Sequence, residues 1–538
     1  LLTRLLAKTL TNCRPRTMYS SIIKSIIRKA GQYSATRLIP FSVLVILQTL
    51  GIPIFANEEE DPIFFKELDR WYEVFLHDSK VGHAHSTMKL EGKDVVSQSV
   101  FNMNINRAGI SITLSATEKT RESRSGKIKS FSGEMKMAGV PVIKKGWIEG
   151  QEIIVKEKQF FRETEKRYPL DPEGRMTWGL MKLLQEHGFQ KKGQELETKI
   201  YSADFGMSSP TKAKIKSLGQ KRINIGGKDV NSYKTEITLF TKMGKMKTTN
   251  WLDGHGFAIR TKIQMGGMPI EIKQSTALEA QSKSDETDFD FLLQTLLFID
   301  QEIPDGAQSV RFNVSLIKGE MTPTFHQGRN QKITQIDEKN FIIDIRSEPW
   351  GQKVDSEQNI LTIGREYRDA NLMIDSGDPL ITNLARNAAQ GSKNMIDLSQ
   401  NLYRFARKYI QHKNFNVGFA TATETAKSRE GDCTEHAVFL AALGRVLGIP
   451  TRVANGLVFM KNFENKKNVM GFHMWTEFHL NGKWHALDSA LGKLGAHADR
   501  ITLSVSSLKQ DSLLDMGVNL SEIIGNINVQ VEKVSLMK

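Results

Sequence analysis

Alternating apolar and polar residues predict β-strands along much of residues 65–280. After a turn at residues 253–254, large apolar side chains recur at Phe257, Ile259 and Ile263, all spaced by multiples of two. This period is typical of a strand with one buried face. The pattern therefore predicts a β-rich, antiparallel region in the first half of the chain.

Two short stretches in this region resemble each other. "MAGVPV" at residues 137–142 and "MGGMPI" at residues 265–270 share the order of apolar residues and glycine. They indicate two copies of one hairpin in a single curved sheet, with chance similarity as the alternative. A helical stretch around Met176–His187 interrupts the strands.

The pattern changes after the polar run Glu279–Asp288, which is typical of a linker. Apolar residues alternate again along Val310–Leu316, and "FIIDI" at Phe341–Ile345 is a further candidate strand. Apolar residues then recur every three or four positions between Met395 and Ile410, the spacing of an amphipathic helix. A second β-rich segment is thus followed by a helical one.

The first 56 residues have the features of an export signal. A basic stretch ending at Arg37 precedes 19 uncharged residues, Leu38–Ala56, and then the acidic "NEEED". This order predicts a signal peptide cleaved after Ala56, and Met18 is an alternative start. An uncleaved membrane anchor is the rival reading, because 19 residues just reach across a bilayer. Pro40, Gln48 and Pro53 weigh against the anchor.

The net charge of +14 invites a nucleic-acid function, but its distribution argues against one. Residues 1–56 hold eight Lys and Arg and no Asp or Glu, which is more than half of the excess. The remainder has no stripe of basic residues of the kind that follows a nucleic-acid backbone. We therefore expect no nucleic-acid partner.

The chain has two cysteines, Cys13 in the leader and Cys433. An exported mature chain would keep Cys433 alone and form no internal disulfide. A single thiol in an oxidising compartment is expected to be buried or to be used chemically. Its surroundings distinguish these two alternatives.

Cys433 lies where a helix is predicted to begin. Asp432 is a suitable N-cap, Glu435 follows three residues later as in a capping box, and Gly448 and Pro450 supply a stop signal. On this register Cys433 is the first helical residue. Thiol pKa values fall at helix starts, because backbone N–H groups and the helix dipole favour the thiolate.

A hairpin follows this predicted helix. "GFHMWTEFHLNGKWHALDSA" reads as two strands joined by Asn481-Gly482, a strong signal for a two-residue type I′ loop. Such a loop places Leu480 opposite Lys483. This register determines every other pair of the hairpin.

The register brings one histidine close to one aspartate. Asp488 lies opposite Trp475, so His473 and Asp488 share a face as diagonal neighbours, with Cα atoms roughly 7–8 Å apart. His485 points to the other face, and His479 lies about 20 Å away along the strand. We interpret Cys433, His473 and Asp488 as nucleophile, general base and orienting carboxylate.

Two other readings of these residues stay open. Glu477 is the other diagonal neighbour of Asp488 and competes as the partner of His473, although less favourably. A metal site is the second, although no further cysteine exists to complete a structural zinc set. Its ligands would be Cys433, His436, His473 and His479.

The motifs "GDCTEHAVFLAALGRVLGIPTRVANG" and "HMWTEFHLNGKWHALDSA" resemble the transglutaminase-like superfamily over about residues 380–510. The resemblance implies a papain-like α+β core with a helix packed on an antiparallel sheet. It also implies acyl transfer through a thioester on Cys433, with His473 moving protons and Asp488 fixing its tautomer. Met474 and Ser489-Ala490 depart from the usual pattern without removing a chemical group.

Together these observations predict an exported cysteine enzyme of the periplasm or cell envelope that acts on amide bonds, as a peptidase, amidase or transglutaminase. We expect no cofactor and no metal, and substrates that are proteins, peptides or cell-envelope material. A non-catalytic binding or scaffold protein on the same fold is the alternative. The predicted division is a leader at 1–56, a β-rich domain at 57–288, a second β-rich segment at 289–370, the transglutaminase-like domain at 371–510 and a C-terminal extension at 511–538.

Overall fold

The predicted leader lies outside the described part of the chain. None of the helices within that part is both long and apolar enough to cross a membrane. The computed structural model describes residues 65–107, 110–137, 140–159, 162–203, 206–241, 244–265, 268–282, 293, 295–317, 325–351, 363–412, 420–509, 523 and 525–536.

The described residues between 68 and 275 form one large β-sheet, which confirms the predicted β-rich antiparallel region. Within the described ranges it has 15 strands, antiparallel except for the short β9–β10 pair. They are β1 (Leu68–Leu76), β2 (Ser79–Glu91), β3 (Asp94–Arg107), β4 (Ile110–Ser123), β5 (Ile128–Met137), β6 (Val140–Glu149), β7 (Glu152–Gln159), β8 (Arg162–Pro169), β9 (Gly174–Arg175), β10 (Glu195–Ser202), β11 (Gly206–Ile225), β12 (Lys228–Thr241), β13 (Gly244–Leu252), β14 (Ala258–Met265) and β15 (Met268–Ser275).

The sheet order is β8-β7-β6-β5-β4-β3-β2-β1-β15-β14-β13-β12-β11-β10-β9. The first and last strands of this half are therefore neighbours, with Val74 paired to Ile272. Both residues are buried in a core that draws apolar side chains from strands on each side of this junction. The β1–β15 ladder joins two runs of hairpins into one sheet.

The two similar sequence stretches each lie at a hairpin of this sheet. Met137 pairs with Val140 at one hairpin, and Met265 pairs with Met268 at the other. Each hairpin thus turns with two residues between the paired ones. Hairpins of unrelated sequence have the same spacing, with Arg107 paired to Ile110 and Thr241 to Gly244, so the spacing does not distinguish a repeated unit from chance similarity.

Helix α1 (Thr177–His187) packs onto the core of the large sheet through Leu180 and Leu184. Its start is anchored by the buried carboxylate of Glu122, which accepts hydrogen bonds from the backbone N–H groups of Trp178 (2.7 Å) and Gly179 (2.9 Å). Burial raises the pKa of Glu122 to about 7, although these two N–H groups act in the opposite direction. The carboxylate takes the place of a conventional N-cap side chain.

The polar run predicted as a linker starts inside a short helix. Helix α2 (Ala277–Gln281) begins with a capping box between Thr276 and Glu279. The ammonium group of Lys80 donates to the carbonyl oxygen of Glu279 and to Ser282 Oγ. Capping and these contacts account for helix where composition predicted a linker.

A four-stranded antiparallel sheet follows, in the order β18-β19-β17-β25 among the described residues. Its last strand comes from the region predicted as a C-terminal extension, and Val529 pairs with Val314. Segments 289–370 and 511–538 therefore contribute to one sheet. Its strands are β17 (Ala307–Leu316), β18 (Gln331–Gln335), β19 (Asn340–Arg346) and β25 (Ile527–Leu536); the short β16 (Leu297–Phe298) pairs elsewhere, with β21.

The remaining elements form an α+β core in which a helix packs on an antiparallel sheet, as predicted. The sheet order is β23-β22-β21-β20-β24 in the part of the chain that is described. The elements are α3 (Pro379–Ala388), α4 (Met395–Tyr409), α5 (Ala422–Ser428), α6 (Cys433–Val446), β20 (Thr451–Phe463), β21 (Lys466–Leu480), β22 (Lys483–Asp488), β23 (Lys493–Leu494) and β24 (Arg500–Ser506).

Helix α6 is the centre of this core. Its residues from Glu435 to Arg445 are all buried, with α3, α4 and α5 around it. Met474 and Phe478 of β21 belong to the same apolar cluster. Further along β21, Phe472 packs against both the core of the large sheet and that of the four-stranded sheet.

Candidate functional site

Cys433 is the first residue of α6, as its sequence predicts. The carboxylate of Asp432 accepts from the backbone N–H of Thr434 at 2.8 Å, and Glu435 Oε2 accepts from the N–H of Asp432 at 2.9 Å. Asp432 and Glu435 also form a capping box, in which the side chain of each accepts from the backbone N–H of the other. They hold Cys433, a partly buried thiol, at the positive end of the helix dipole.

The glycine before this helix allows a close approach. Gly431 has φ +151°, and a Cβ there would lie 2.3 Å from the Cβ of Glu435. Glu435 is completely buried and also accepts from the N–H of Ala420 at 3.1 Å. Burial, helped by the charge of Asp432, raises the pKa of Glu435 to about 8. The helix start is thus packed tightly around Cys433.

The hairpin has the register predicted from its turn. Asn481 and Gly482 have φ of +49° and +76°, as a type I′ turn requires, and Leu480 pairs with Lys483. This register carries His473 and Asp488 to the same place. His473 Nε2 donates to Asp488 Oδ2 at 2.8 Å.

Asp488 is a buried carboxylate that accepts hydrogen bonds from two side chains, those of His473 and Arg500. Its Oδ2 also accepts from Arg500 Nη1 at 3.1 Å, and its Oδ1 accepts from the N–H of Leu491 at 2.9 Å. Burial alone would raise the pKa of Asp488, but His473, Arg500 and the Leu491 N–H outweigh it and hold that pKa well below its ordinary value. The carboxylate is therefore ionised at neutral pH.

Two hydrogen bonds connect the first turns of α6 to the hairpin. Thr476 Oγ1 donates to the carbonyl oxygen of Ala437 at 2.9 Å, and the His436 ring lies 3.2 Å from Ser489 Oγ. Ser489 directly follows Asp488. The helix that begins with Cys433 is thus fixed beside the end of the strand that carries Asp488.

Aromatic and charged groups surround the His473–Asp488 pair. The His473 ring stacks on Trp475 at 6.3 Å between centroids, and the Arg500 guanidinium lies 5.1 Å from the centroid of the same indole. Trp475 belongs to the apolar cluster on the face of the sheet opposite Met474. The indole of Trp475 therefore lies beside both the imidazole of His473 and the guanidinium of Arg500.

The competing partner of His473 is engaged elsewhere. Glu477 Oε2 accepts from Arg452 Nε at 2.6 Å. Electrostatic attraction to Arg452 explains this choice, because the arginine lies directly across the β20–β21 ladder from Glu477. The structure therefore brings Asp488, and not Glu477, to His473.

The three histidines of the metal alternative, His436, His473 and His479, have separate surroundings. His436 is beside Ser489, and His479 packs edge-on against Trp484 at 5.1 Å. Across the described ranges, no group of three or more His, Cys, Asp or Glu is arranged to hold a metal ion. These contacts do not form a ligand set.

Sequence reasoning missed Arg500. Its neighbours in the sequence carry no motif, and it reaches Asp488 because β24 pairs with β20, where Arg500 lies opposite Val458. This pairing spans more than 40 positions, as their residue numbers show. The one signal that could have found it is its place directly before alternating apolar residues, Ile501, Leu503 and Val505.

Comparison with known proteins gives one family match, to the transglutaminase-like superfamily over residues 382–489. No curated protein matches the chain. The family match bears on the site because its span includes Cys433, His473 and Asp488.

Solved structures with similarity include a candidate cysteine protease from Cytophaga hutchinsonii, with 13% identity, a TM-score of 0.29, and coverage of 43% of this chain and 92% of that one. The periplasmic domain of TgpA from Pseudomonas aeruginosa, bound to ethylmercury, has 14% identity, a TM-score of 0.23 and coverage of 34% and 90%. The hypothetical lipoprotein YmcC from Escherichia coli has 12% identity, a TM-score of 0.18 and coverage of 49% and 98%.

Proposed function

We propose that this chain, in which residues 382–489 form a transglutaminase-like core, is an exported cysteine enzyme that transfers amide acyl groups. Cys433 is the nucleophile, His473 the general base and acid, and Asp488 the residue that orients the imidazole. The observation that supports this most is the 2.8 Å bond from His473 to a buried, ionised carboxylate, on a hairpin fixed to the helix that Cys433 begins.

The chemistry follows from these groups. The thiol proton of Cys433 passes to Nδ1 of His473, since Nε2 is bonded to Asp488, and Sγ attacks the amide carbonyl carbon. Backbone N–H groups at the helix start stabilise the oxyanion. The imidazolium then protonates the departing amine, which leaves a thioester. Water or a second amine attacks the thioester, again passing its proton through His473, and releases the thiol.

Export and substrate class are parts of the same proposal. The basic and apolar pattern of residues 1–56 supports export to the periplasm or cell envelope. The substrates are proteins, peptides or cell-envelope amides. Hydrolysis and transamidation differ only in whether water or an amine reaches the thioester.

Labelling of Cys433 tests the enzyme against the scaffold alternative. We expect iodoacetamide to alkylate Cys433 at pH 6 faster than an ordinary thiol with a pKa of about 8.5, because a helix start and an imidazole favour the thiolate. Peptide mass spectrometry reads Cys433 separately from Cys13. Replacement of His473 by Ala should slow this labelling, whereas His485→Ala, a control on the other face, should not. Ordinary thiol behaviour in the unmodified protein would favour the scaffold.

A bifunctional reagent tests whether thiol and imidazole meet. The proposal requires Sγ of Cys433 and the His473 ring to approach closely enough to exchange a proton. We expect 1,3-dibromoacetone to link Cys433 to His473, with the linked peptides identified by mass spectrometry. A link from Cys433 to His479 or His436 instead would contradict the assignment of the base.

Substrate profiling distinguishes the two reactions. Peptide and amide libraries are incubated with the protein, with and without added methylamine, and Cys433→Ala is the control. Methylamine incorporation that depends on Cys433 identifies transamidation, and release of an amine without incorporation identifies hydrolysis.

A further inference from the structure

Arg500 is a buried arginine beside the His473–Asp488 pair. Its side chain is only 2% exposed, and Nη1 donates to the same Asp488 oxygen that His473 contacts. One carboxylate oxygen is therefore shared between an imidazole at 2.8 Å and a guanidinium at 3.1 Å. Any change in one of these contacts alters the other.

Stability alone does not account for a charge in this position. Removing an arginine from water costs several kcal/mol, and well-packed apolar residues often replace a buried ion pair without loss. Arg500 has a second carboxylate, Asp499, at 3.2 Å from Nε. Its Nη2 has no hydrogen-bond partner among the described residues. The guanidinium is thus held by two carboxylates and by the indole of Trp475.

The charges around this arginine balance in one protonation state of the histidine. Asp488 and Asp499 carry two negative charges, and Arg500 and Lys493, which bonds to Asp499, carry two positive charges. These four charges cancel while His473 is neutral, and protonation of the imidazole adds one positive charge to them. Two further groups lie nearby: His497, which interacts with Asp499 and Arg500, and Arg407, which donates to the carbonyl oxygen of Ser489. Arg500 therefore opposes the stabilisation that a lone aspartate would give to an imidazolium.

We propose that Arg500 is a positioning residue that acts on His473 through Asp488. It bonds the same carboxylate oxygen as the imidazole and limits how strongly that carboxylate holds a proton on His473. A general base must release its proton again in each half of the reaction, so this limit favours turnover near neutral pH. The catalytic meaning of the effect rests on the proposed function; the effect on His473 itself does not.

The fold supplies the rigidity that this role requires. Arg500 is the first residue of β24, paired to Val458 of β20, and Gly456 lies close to the next residue of β24. The guanidinium also packs on Trp475, which stacks on His473. Backbone pairing and the shared indole thus fix both ends of the contact.

Titration of the His473 imidazole tests the proposal. In protein labelled with 13C at histidine Cε1, the His473 signal is assigned from a His473→Gln variant and followed against pH. We expect Arg500→Gln to move the titration midpoint to higher pH by about one unit or more, since one unit corresponds to about 1.4 kcal/mol. Asp499→Asn, which removes the other carboxylate from Arg500, should move it to lower pH.

Arg452→Gln is the matched control. Arg452 is a partly buried arginine of this sheet that pairs with Glu477 and packs on the indole of Trp484, rather than with Asp488 and on Trp475. It should destabilise the protein without moving the His473 midpoint. The proposal is overturned if the His473 titration midpoint stays in place in both Arg500→Gln and Asp499→Asn. It is also overturned if these variants move the midpoint only as much as Arg452→Gln does.

The outcomes separate this inference from the enzyme assignment. A reactive Cys433 with an unmoved midpoint in the Arg500 and Asp499 variants would refute only the role of Arg500. The expected midpoint shifts with a Cys433 that labels as an ordinary thiol would refute the enzyme and leave the effect of Arg500 on His473 established. If Arg500→Gln does not fold, the Asp499→Asn titration decides alone.

Discussion

Asp488 is the residue on which the candidate site depends most, because it is a buried anion bonded to both His473 and Arg500. We expect Asp488→Ala to lower the free energy of unfolding by about 3–5 kcal/mol, since it leaves a buried guanidinium without its partner. Denaturant unfolding measures this cost. Asp344→Asn removes the exposed partner of Arg311 and should cost at most about 1 kcal/mol.

Asp488→Asn separates chemistry from stability. The amide keeps the shape of the side chain but no longer selects the correct tautomer of His473, and the matching change in a serine protease triad lowers kcat about 10⁴-fold. We expect a loss of Cys433-dependent activity of comparable order. Retention of most activity in a folded Asp488→Asn protein would exclude Asp488 from the mechanism.

Single residues were predictable where a local rule fixes them. Asn481-Gly482 determines a hairpin register, and that register alone places His473 beside Asp488. Arg500 was not predictable, because its position results from a pairing with β20 that no local pattern encodes. The helix start at Cys433 belongs to the first kind, since Asp432 and Glu435 form the capping box expected from their spacing.

The β20–β24 pair depends on a glycine. A Cβ on Gly456 would lie 2.1 Å from the carbonyl oxygen of Ile501. We expect Gly456→Ala to push β24 away from β20, weaken the contact of Arg500 with Asp488, and lower both Tm and Cys433-dependent activity. Gly254→Ala, at a position with open space around it, is the control and should leave both unchanged. Equal Tm for both variants would contradict this account of Gly456.

Helix α1 should show a characteristic pH dependence. The pKa of Glu122 is raised from 4.5 to about 7, so the folded protein keeps a proton that the unfolded chain has lost. The contribution of the raised Glu122 pKa to the free energy of unfolding is fully present below pH 4.5. It is lost as the pH rises to about 7. We expect Glu122→Gln to be less stable than the unmodified protein at pH 5, because one N–H loses its acceptor, with a smaller deficit at pH 8.

Tm measured at both pH values checks this prediction. Glu134→Gln serves as the control, since Glu134 is exposed and paired only to Lys136. A deficit for Glu122→Gln that does not change between pH 5 and pH 8 would exclude Glu122 as the titrating group.

The type of an element could often be predicted from its own residues, whereas the element it pairs with could not. The helical periodicity after Met395 corresponds to α4, and alternation along Val310–Leu316 corresponds to β17. The partner of β17 was not foreseen, because β25 lies more than 200 positions later. The polar run after Glu279 was read as a linker, although capping and contacts to Lys80 form α2 at its start.

At the level of the whole molecule, Phe472 connects the core of the large sheet to that of the four-stranded sheet. It packs against both apolar clusters, and it directly precedes His473. We expect Phe472→Ala to cost about 2 kcal/mol, near half the value for a fully buried phenylalanine. Calorimetry should show one unfolding transition before the change and two resolved transitions after it.

The control for this variant is a nearby phenylalanine that faces solvent. Phe298 pairs with Val469 on the same strand as Phe472 but is 57% exposed. Phe298→Ala should leave the calorimetric profile unchanged. A single transition in Phe472→Ala would indicate that other contacts couple the two regions.

The overall class was predictable, whereas the pairing that joins the two runs of hairpins in the large sheet was not. Alternation and turn residues are local signals, and they predict strands and antiparallel neighbours well. The β1–β15 junction depends on which strands, far apart in the sequence, pair with each other. Nothing in the sequence around Val74 or Ile272 identifies the other residue as its partner. The size of the sheet follows from that junction.

The β1–β15 junction has a consequence for how the protein acquires its structure. Residues 68–76 must wait for residues 268–275 before their ladder can form. Folding rates fall as contacting residues become more distant in sequence, because the closure entropy is lost before the contacts compensate for it. The newly made chain should therefore expose an unpaired sheet edge for a long time, and its dependence on chaperones should exceed that of a protein built from local hairpins alone.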